Sequence, residues 1–304
     1  MKRISLLVPV YNESSNIKYF INEVSPIISK LSNTHKLEIV FSDNASTDNT
    51  LDEIKKINLK LCPVKYISLS RNFGYQASIL ALLNNVESDA YIVIDVDCED
   101  PPKLILEFIA HFDKGYKYVY GIRKWRDEKI IIILLRKFFY RLTKLLADSD
   151  FILDVAEFSL FDNKIKRSIL HTQSTFPFIR SEIAYCGFKK IGIEYKRNNR
   201  KHGISNYNFI QMFKFAIAGI LSSTTFPLRL ITYLGLPALI LLPFFMIFYE
   251  FNNSIVFLLT LIYLIFSLMS ISIYLARTYK NSLRKPLFII DSYSDNMKIL
   301  KDIY

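Results

Sequence analysis

Cysteine is scarce in this 304-residue chain, which contains only Cys62, Cys98 and Cys186. Their number is odd and their spacing fits no metal-binding pattern, which argues against a disulfide framework and a structural zinc site. We also do not expect the opening MKRISLLVPVYNE to act as a secretory signal peptide, because its apolar part is short and meets polar residues at once. We find no internal repeat and no low-complexity linker. The sequence therefore predicts reduced thiols in the cytosol.

A nucleic-acid recognition motif is likewise missing, although the chain is strongly basic. The formal net charge is +11 and the isoelectric point is about 9.3, a balance that nucleic-acid-binding proteins often have. Here the basic residues are dispersed along the soluble part of the chain rather than gathered in one patch. An anionic bilayer surface and a phosphate-bearing substrate explain the charge better, and we expect no nucleic-acid partner.

Charged side chains are absent from two long apolar runs near the C-terminus. Residues 230–249 and 255–276 each supply about the twenty apolar residues that cross a hydrocarbon core of roughly 30 Å. A buried core helix is the alternative for a single run, and Pro237 and Pro243 would kink the first helix in either setting. Membrane helices tolerate proline when neighbouring groups satisfy the freed backbone. Two such runs, separated only by the short EFNNS, favour a transmembrane hairpin.

The turn between the two runs has no lysine or arginine, whereas both flanks of the hairpin are basic. By the positive-inside rule, both flanks and both chain termini lie in the cytoplasm. This pattern predicts a multi-pass protein of the inner, cytoplasmic membrane whose catalytic part faces the cytoplasm. The flanking basic residues are Lys214, Arg229, Arg277, Lys280, Arg284 and Lys285.

Four short apolar runs alternate with helical patterns in the first third of the chain. The runs ISLLVPV, LEIVFS, VKYISLS and AYIVIDV are typical of buried strands. Strands that alternate with helices of this length form right-handed βαβ units and a mostly parallel sheet. The polar segments PVYNE, SDNASTD, SRNFG and DVDCED lie where these strands end. Ligands of such sheets bind beyond the carboxyl ends of the strands, so we expect these segments to form one crevice.

Four acidic side chains crowd the segment IDVDCEDPP at the end of the fourth run. Carboxylates this close repel one another and raise each other's pKa, unless a bound cation offsets the repulsion. Asp95 and Asp97 alternate at the strand end, so one can contact a ribose while the other binds a metal. Mg²⁺ and Mn²⁺ prefer such hard oxygen ligands and share them with substrate phosphates. Glu99 is a further candidate ligand, and we expect Asp100 to cap a helix that begins at Pro101.

The motifs VPVYNESSNI, SDNASTDNT, RNFGYQAS, DVDCEDPP and YGIR together resemble those of family 2 glycosyltransferases with a GT-A fold. The later RNNRKHGIS and the ending YLARTYKNSLRKPLFII make the chain similar to polyprenyl-phosphate glycosyltransferases. This class includes dolichyl-phosphate mannose synthases and bacterial undecaprenyl-phosphate glucosyltransferases. The resemblance covers nearly the whole chain. It implies an α/β fold, with a Rossmann-like, mostly parallel catalytic domain and a C-terminal two-helix transmembrane hairpin.

The resemblance also implies a nucleotide pocket, a site for Mg²⁺ or Mn²⁺, a surface for the diphosphate and the acceptor phosphate, and catalytic groups. The implied nucleotide-binding residues are Pro9, Tyr11, Glu13, Asp43 and Asp95, and the implied metal ligands are Asp95, Asp97 and Glu99. The implied acceptor and diphosphate residues are Arg123, Arg126, Arg200 and Ser205, and the implied catalytic residues are Asp97, Glu157 and Arg123. The donor would be a nucleotide sugar, expected to be UDP-linked, and the acceptor a polyprenyl phosphate.

The chain departs from the family pattern in three segments. Glu99 stands where members usually carry glutamine. Glu157 and Ser159 stand where many carry the aspartate and the arginine of Gly-Asp-Phe-Arg. Asn206 replaces the lysine that follows the serine of the basic loop. Two cations are thereby lost, which leaves the identity of the sugar and some of the phosphate contacts open.

Structural roles are alternatives for five of the candidate residues, of which Arg126 and Arg200 are two. Asp43 lies in DNASTD, where an Asx turn would also use an aspartate. Arg123 is also compatible with a surface ion pair, and Glu157 with a buried structural carboxylate. No histidine in the motifs is a candidate general base, since His202 of RNNRKHGIS has the character of a loop residue. None is required, because an acceptor phosphate monoester is already anionic at neutral pH.

We expect a GT-A catalytic domain over residues 1–203, amphipathic interfacial helices over 204–227, the hairpin over 228–277 and a cytoplasmic tail over 278–304. The expected reaction is an inverting transfer of a sugar from a nucleotide sugar to undecaprenyl or another polyprenyl phosphate, for cell-surface glycan modification. A glycosyltransferase with a glycan acceptor and a catalytically inactive membrane scaffold are the alternatives. A homo-oligomer is compatible with the sequence.

Overall fold

The computed structural model of the protein describes residues 1–124, 155–172, 174–198, 224–248, 253–297 and 299. The strands are β1 Lys2–Val10, β2 His35–Asp43, β3 Val64–Leu69, β4 Ala90–Val93, β5 Tyr118–Lys124, β6 Val155–Asp162, β7 Lys190–Lys196 and β8 Ile290–Tyr293. The helices are α1 Ser14–Leu31, α2 Thr50–Lys55, α3 Tyr75–Asn85, α4 Leu104–Asp113, α5 Asn163–His171, α6 Ile179–Tyr185, α7 Phe226–Phe248 and α8 Asn253–Ser282. The strands form one mixed sheet in the order β7-β5-β6-β4-β1-β2-β3-β8.

The alternation of side chains along β1 explains why the core has two halves, one on each face of the sheet. Ile4, Leu6 and Val8 point to the face that α1 and α4 cover, whereas Leu7 points to the face that α3 covers. α1 places a helical stripe of apolar side chains, centred on the fully buried Phe20, against the first face. The sheet is therefore sandwiched between two helical layers.

Parallel pairing brings the carboxyl ends of neighbouring strands to one edge of the sheet. β1 pairs in parallel with β2 and β4, and β2 pairs in parallel with β3. In this register Val10 lies opposite Asp43, and Leu7 lies opposite Val93. The polar segments that follow these four strands therefore leave the sheet on the same side. The mostly parallel α/β fold predicted from the sequence is confirmed.

Antiparallel strands at two places were not part of the prediction. β6 lies antiparallel between β4 and β5, and β8 lies antiparallel to β3 at the opposite edge. β8 follows α8, within the segment predicted only as a cytoplasmic tail. Phe288 and Met297, which flank this strand, are 3% and 6% exposed and pack in the same core half as α3. Part of the predicted tail thus belongs to the sheet and its core.

α7 and α8 carry the two apolar runs and contact each other. The Tyr263 hydroxyl on α8 donates a hydrogen bond to the Ile231 carbonyl on α7 at 3.0 Å. Among the described residues, one helix, Ser254–Ser282, is long and apolar enough to cross a membrane, with a mean hydropathy of 2.5 over an 18-residue window. The stretch of α7 whose side chains the structure describes without a gap, Phe226–Leu241, is shorter than the 18 residues that a candidate crossing needs. One crossing is therefore supported by length and composition, and the second crossing of the predicted hairpin is not.

Candidate active site

Hydrogen bonds tie together the loops that follow β1 and β2. The Asn12 side chain accepts from the Thr47 N–H at 2.8 Å, and the Asn12 N–H donates to the Ser46 hydroxyl at 2.9 Å. The Glu13 N–H donates to the Thr50 hydroxyl at 2.8 Å. Asn12 has a φ of +55°, a left-handed conformation that asparagine adopts more readily than most residues. These contacts fix the backbone of two of the four predicted site segments.

Three of the residues predicted to bind the nucleotide, Pro9, Tyr11 and Glu13, lie at the end of β1 and directly after it. Tyr11 is 40% exposed, so its ring is accessible to a planar ligand such as a base. The Glu13 side chain accepts a hydrogen bond from the Asn16 side chain at the start of α1. Their roles in nucleotide binding remain predictions.

Asp43 ends β2 and is 2% exposed. Its carboxylate accepts hydrogen bonds from the Ser46 N–H at 3.2 Å and from the Ser68 hydroxyl at 3.1 Å. The first contact is the turn contact that the structural alternative required, and the second joins β2 to β3. Asp43 therefore has a structural role where β2 ends, and its role in nucleotide binding remains a prediction.

The Asp95 carboxylate lies just beyond β4 and accepts a hydrogen bond from the Tyr75 hydroxyl at 2.8 Å. Burial, followed by the charges of Asp97 and Asp100, raises the pKa of Asp95 to about 7. Burial also raises the pKa of Tyr75 well above its usual value, so the phenol keeps the proton that it donates. Burial and neighbouring negative charges destabilise the charged form of such a carboxyl group. A bound cation would stabilise that charged form.

Glu99 does not join Asp95 and Asp97 in a group of three ligands. The Asp97 carboxylate accepts the Glu99 N–H at 3.1 Å, but the Glu99 carboxylate forms an ion pair with the Arg197 guanidinium. Within the ranges that the structure describes, no group of three or more histidine, cysteine, aspartate or glutamate side chains is arranged to hold a metal ion. The described site therefore offers a pair of carboxylates, and the metal-ligand role of Glu99 remains a prediction.

Asp100 holds Arg123 in place. Its two carboxylate oxygens accept from Arg123 Nε at 3.2 Å and Nη2 at 2.7 Å, and the Tyr195 hydroxyl donates to it at 2.5 Å. The cap prediction for Asp100 is wrong, because α4 begins at Leu104 without a side-chain cap and the carboxylate serves this ion pair instead. In the described part of the chain, Arg123 Nη1 has no hydrogen-bond partner. The Arg123 side chain is 22% exposed, and guanidinium groups are common donors to phosphate oxygens.

The Glu157 carboxylate is held by Arg180, a cation that the sequence analysis did not single out. Glu157 Oε1 accepts from Arg180 Nε at 2.6 Å and from Gln76 Nε2 at 3.3 Å. The side chains of Glu157 and Arg180 are 12% and 30% exposed. Ser159 lies two residues along β6 from Glu157 and so shares its face of the sheet. Arg180 thus supplies a cation close to the position where the resemblance implied a strand arginine.

Residues 5–188 match the family model described as glycosyl transferase family 2. The chain belongs to glycosyl transferase family 2. It is 33% identical over 233 residues to the uncharacterized glycosyltransferase YkcC of Bacillus subtilis (strain 168), which covers 76% of this chain and 72% of that protein. It is 32% identical over 237 residues to the bactoprenol glucosyl transferase of Shigella phage SfX, and this match covers 77% of this chain and 76% of that protein. The family predicted from the motifs is confirmed.

The fold of this family 2 glycosyltransferase is also seen in a distant solved structure. Glucosyl-3-phosphoglycerate synthase from Mycobacterium tuberculosis, in complex with phosphoglyceric acid, superposes with a TM-score of 0.52 at 16% identity. The match covers 73% of this chain and 79% of that chain. At this level of identity the likeness concerns the fold alone, and it agrees with the predicted GT-A architecture.

The site of this family 2 glycosyltransferase combines a carboxylate pair with two ion-paired arginines. Asp95 and Asp97 lie at the end of β4, while Arg123 on β5 and Arg180 on α6 lie within electrostatic reach of each other. Such an arrangement can bind a cation together with a diphosphate and stabilise the negative charge of a departing nucleoside diphosphate.

Three of the predicted acceptor and diphosphate residues cannot be placed against this geometry. Arg126, Arg200 and Ser205 lie outside the described residues, as does the departure at Asn206. The interfacial helices predicted over residues 204–227 lie almost entirely outside them as well. The roles given to these residues remain predictions.

Sequence reasoning missed Tyr75, Tyr195 and Arg180. Tyr75 directly follows the polar segment SRNFG, so its place after a strand end was a usable signal. Tyr195 lies opposite Arg123 in the β5–β7 register, a relation that the sequence does not reveal. Arg180 lies in the first turn of α6, where a cation opposes the helix dipole and requires an anionic partner. The unfavourable position of this cation in the first turn can be recognised only when the start of α6 is known.

Proposed function

We propose that this glycosyltransferase transfers a sugar from a UDP-sugar to undecaprenyl phosphate or another polyprenyl phosphate at the cytoplasmic membrane face. The observation that carries the proposal is that β8, which follows the apolar helix α8, pairs with β3 in the catalytic sheet. The site is thereby kept beside the bilayer, where an isoprenoid acceptor must remain, and the search for that acceptor becomes local. The name of the phage relative, bactoprenol glucosyl transferase, supports the same acceptor class.

The pairing of β3 with β8 also supports a hairpin of two crossings. β3 precedes both apolar runs and β8 follows them, yet the two strands share one sheet. They therefore lie on the same side of a membrane, and the chain between them crosses it an even number of times. With Ser254–Ser282 as one crossing, we assign the second to α7. Leu239 and Ile240 on α7 are 74% and 73% exposed, as expected for side chains that face lipid.

We assign a Mg²⁺ or Mn²⁺ ion to Asp95 and Asp97. Both supply hard oxygen donors just beyond β4, and Mg²⁺ is commonly held by one or two carboxylates together with substrate phosphates. A third protein carboxylate is not required, which agrees with the pairing of Glu99 with Arg197. When bound, such an ion neutralises charge on the diphosphate of the donor.

The remaining site residues bind and orient the two anions that must meet. Arg123 is fixed by Asp100 through Nε and Nη2, which leaves Nη1 to donate to a phosphate oxygen. The acceptor phosphate is anionic at neutral pH and needs no strong base. Glu157, held by Arg180, therefore orients substrate in this proposal and does not abstract a proton. One displacement with the reacting groups aligned inverts the anomeric centre.

The nucleotide would lie on the segment that follows β1 and near Asp43, with Tyr11 beneath its base. For the domain division we retain a catalytic domain over 1–203, interfacial helices over 204–227 and a hairpin over 228–277. We add β8 to the catalytic domain, because it extends the same sheet.

Transfer of label into lipid tests the proposal. Membranes that contain the full chain receive undecaprenyl phosphate, Mg²⁺ or Mn²⁺, and a panel of radiolabelled UDP- and GDP-sugars. We expect label from one UDP-sugar to enter the lipid phase. Asp97→Ala should reduce this transfer by more than the roughly 10–100-fold that is typical of losing an outer-shell partner of a metal. Asp52→Ala, at an exposed position on α2, is the control that leaves transfer unchanged.

The same assay separates the alternatives. Label that enters a water-soluble glycan and not the lipid phase would favour a glycan acceptor. Absence of transfer from every donor, with nucleotide binding that Asp97→Ala does not alter, would favour a catalytically inactive scaffold.

A further inference from the structure

The C-terminal end of α8 is attached to the segment 174–178 of the catalytic domain. Asn281 Oδ1 accepts hydrogen bonds from the Thr175 N–H at 2.9 Å and from the Thr175 hydroxyl at 2.5 Å. Arg277 and Lys280, on the same end of the helix, lie over the Phe176 ring at 4.8 Å and 5.3 Å from its centroid. Two cation–π contacts and two hydrogen bonds thus meet within two consecutive residues of the segment.

This contact lies where α8 leaves the hydrocarbon layer. At 1.5 Å per residue, residues 254–276 are about 34 Å long, which already spans a core of roughly 30 Å. Arg277, Lys280 and Asn281 therefore extend beyond the apolar layer. Their contacts with Thr175 and Phe176 are made at the level of the membrane surface.

The attached segment leads directly into the active site. Phe178, only 9% exposed, precedes α6. The Ile179 N–H donates to Gln76 Oε1 at 3.1 Å, and the Gln76 amide donates in turn to Glu157. Arg180, the next residue, forms the 2.6 Å ion pair with Glu157. The chain from Thr175 to Arg180 is therefore fixed at one end by α8 and at the other by the site.

The chain from Thr175 to Arg180 is short enough that a displacement at Thr175 also displaces Arg180. A chain advances at most about 3.3–3.6 Å per residue, and the buried Phe178 removes further slack between the two anchors. The Arg180 side chain is partly exposed, at 30%. A shift of the segment at Thr175 would therefore change the direction of the Arg180 guanidinium relative to Glu157.

We propose that Asn281 is a positioning residue, through which the end of α8 orders the segment 175–180 and orients the Arg180–Glu157 pair for the acceptor phosphate. The part that concerns the acceptor rests on the proposed function, whereas the ordering of the segment does not. Asn281 touches no substrate in this proposal and acts only through Arg180.

Amide hydrogen exchange of the full chain in phospholipid nanodiscs tests the ordering independently of activity. Asn281→Ala should accelerate exchange in peptides that cover 174–182, because the Thr175 and Ile179 amides lose a fixed partner or its support. Thr175→Val removes the hydroxyl donor from the other side and should act in the same direction. Ser282→Ala is the matched control, since the Ser282 hydroxyl bonds, among the described residues, only to the Tyr279 carbonyl of its own helix turn. Unchanged exchange in both test variants would overturn the proposal.

A double-mutant cycle tests whether Asn281 acts through Arg180. Asn281→Ala alone should lower the turnover number for polyprenyl phosphate by roughly tenfold, within the range known for displaced catalytic groups. In the background of Arg180→Gln, the same change should have no further effect. If the double variant loses turnover by the product of the two single losses, Asn281 acts by a route other than Arg180. That result would overturn the proposal. A wild-type chain that transfers no sugar to lipid would contradict the proposed function, while the exchange measurement still decides the ordering of the segment.

Discussion

Removal of the Asp100 carboxylate should destabilise the protein strongly, because it would leave a charged arginine without its partner. Asp100 is 2% exposed and accepts from two nitrogen atoms of Arg123 and from the Tyr195 hydroxyl. The Arg123 side chain is itself only 22% exposed. In Asp100→Ala the guanidinium keeps its charge and its partial burial, but it loses the anion that offsets them.

The size of the effect follows from the burial of the pair. Removing one partner of a buried ion pair costs about 3–5 kcal/mol. We expect about 3 kcal/mol, the lower end of this range, because the Arg123 side chain is 22% exposed. For a domain of this size each kcal/mol lowers Tm by about 2–4 °C, so Tm should fall by roughly 6–12 °C.

Thermal unfolding of the detergent-solubilised chain, followed by circular dichroism, measures this shift. Glu194→Ala is the matched control, because Glu194 on β7 pairs with Lys124, the residue after Arg123 on β5, with side chains 47% and 50% exposed. An exposed pair contributes less than about 1 kcal/mol, so the control should lower Tm by less than roughly 4 °C. If Asp100→Ala melts no lower than the control, the Asp100–Arg123 pair does not anchor this part of the site.

Further predictions concern the segment after α8 and the thiols. Phe288→Ala should lower the free energy of unfolding by about 3–5 kcal/mol, because Phe288 is 3% exposed. Ile289→Ala, at 46% exposure, should lower it by less than about 1 kcal/mol; equal losses in urea denaturation would contradict the packing of this segment. Burial raises the pKa of Cys62 to about 12, so iodoacetamide at neutral pH should label the partly exposed Cys186 and leave Cys62 unmodified until the protein unfolds. Peptide mass spectrometry checks this order, and early labelling of Cys62 would contradict it.

The parallel half of the sheet could be predicted because each of its strands carries its own signal. Each is a continuous apolar run followed at once by a polar segment, and both features are local. β8 has no such signal: its four residues, IDSY, are too short for a pattern. Its place is set by distant partners, as in the bond between the Tyr66 N–H and the Ser294 hydroxyl, which are 228 residues apart. Pairing over that separation depends on the folded sheet.

The same limit applies to the site. Asp95 and Asp97 could be predicted because they follow a strand directly, and strand ends hold the ligands of such sheets. The ion-pair partners of Glu99 and Glu157 could not be predicted, since Arg197 and Arg180 reach them from other parts of the fold. These ion pairs decide which carboxylates remain available to a cation, so the ligand set required the structure.

The position of β8 has a consequence for the order of events during synthesis. The sheet acquires its last strand only after the ribosome has passed α7 and α8, so its β3 edge stays open while the apolar helices emerge. An open strand edge can pair with another chain, and domains assemble progressively as they are synthesised. The apolar helices α7 and α8 are therefore synthesised before the catalytic sheet can close. A version of the chain cut before α7 would retain Asp95, Asp97 and Glu157. It would lack β8, however, so the edge of β3 that β8 covers would stay open permanently.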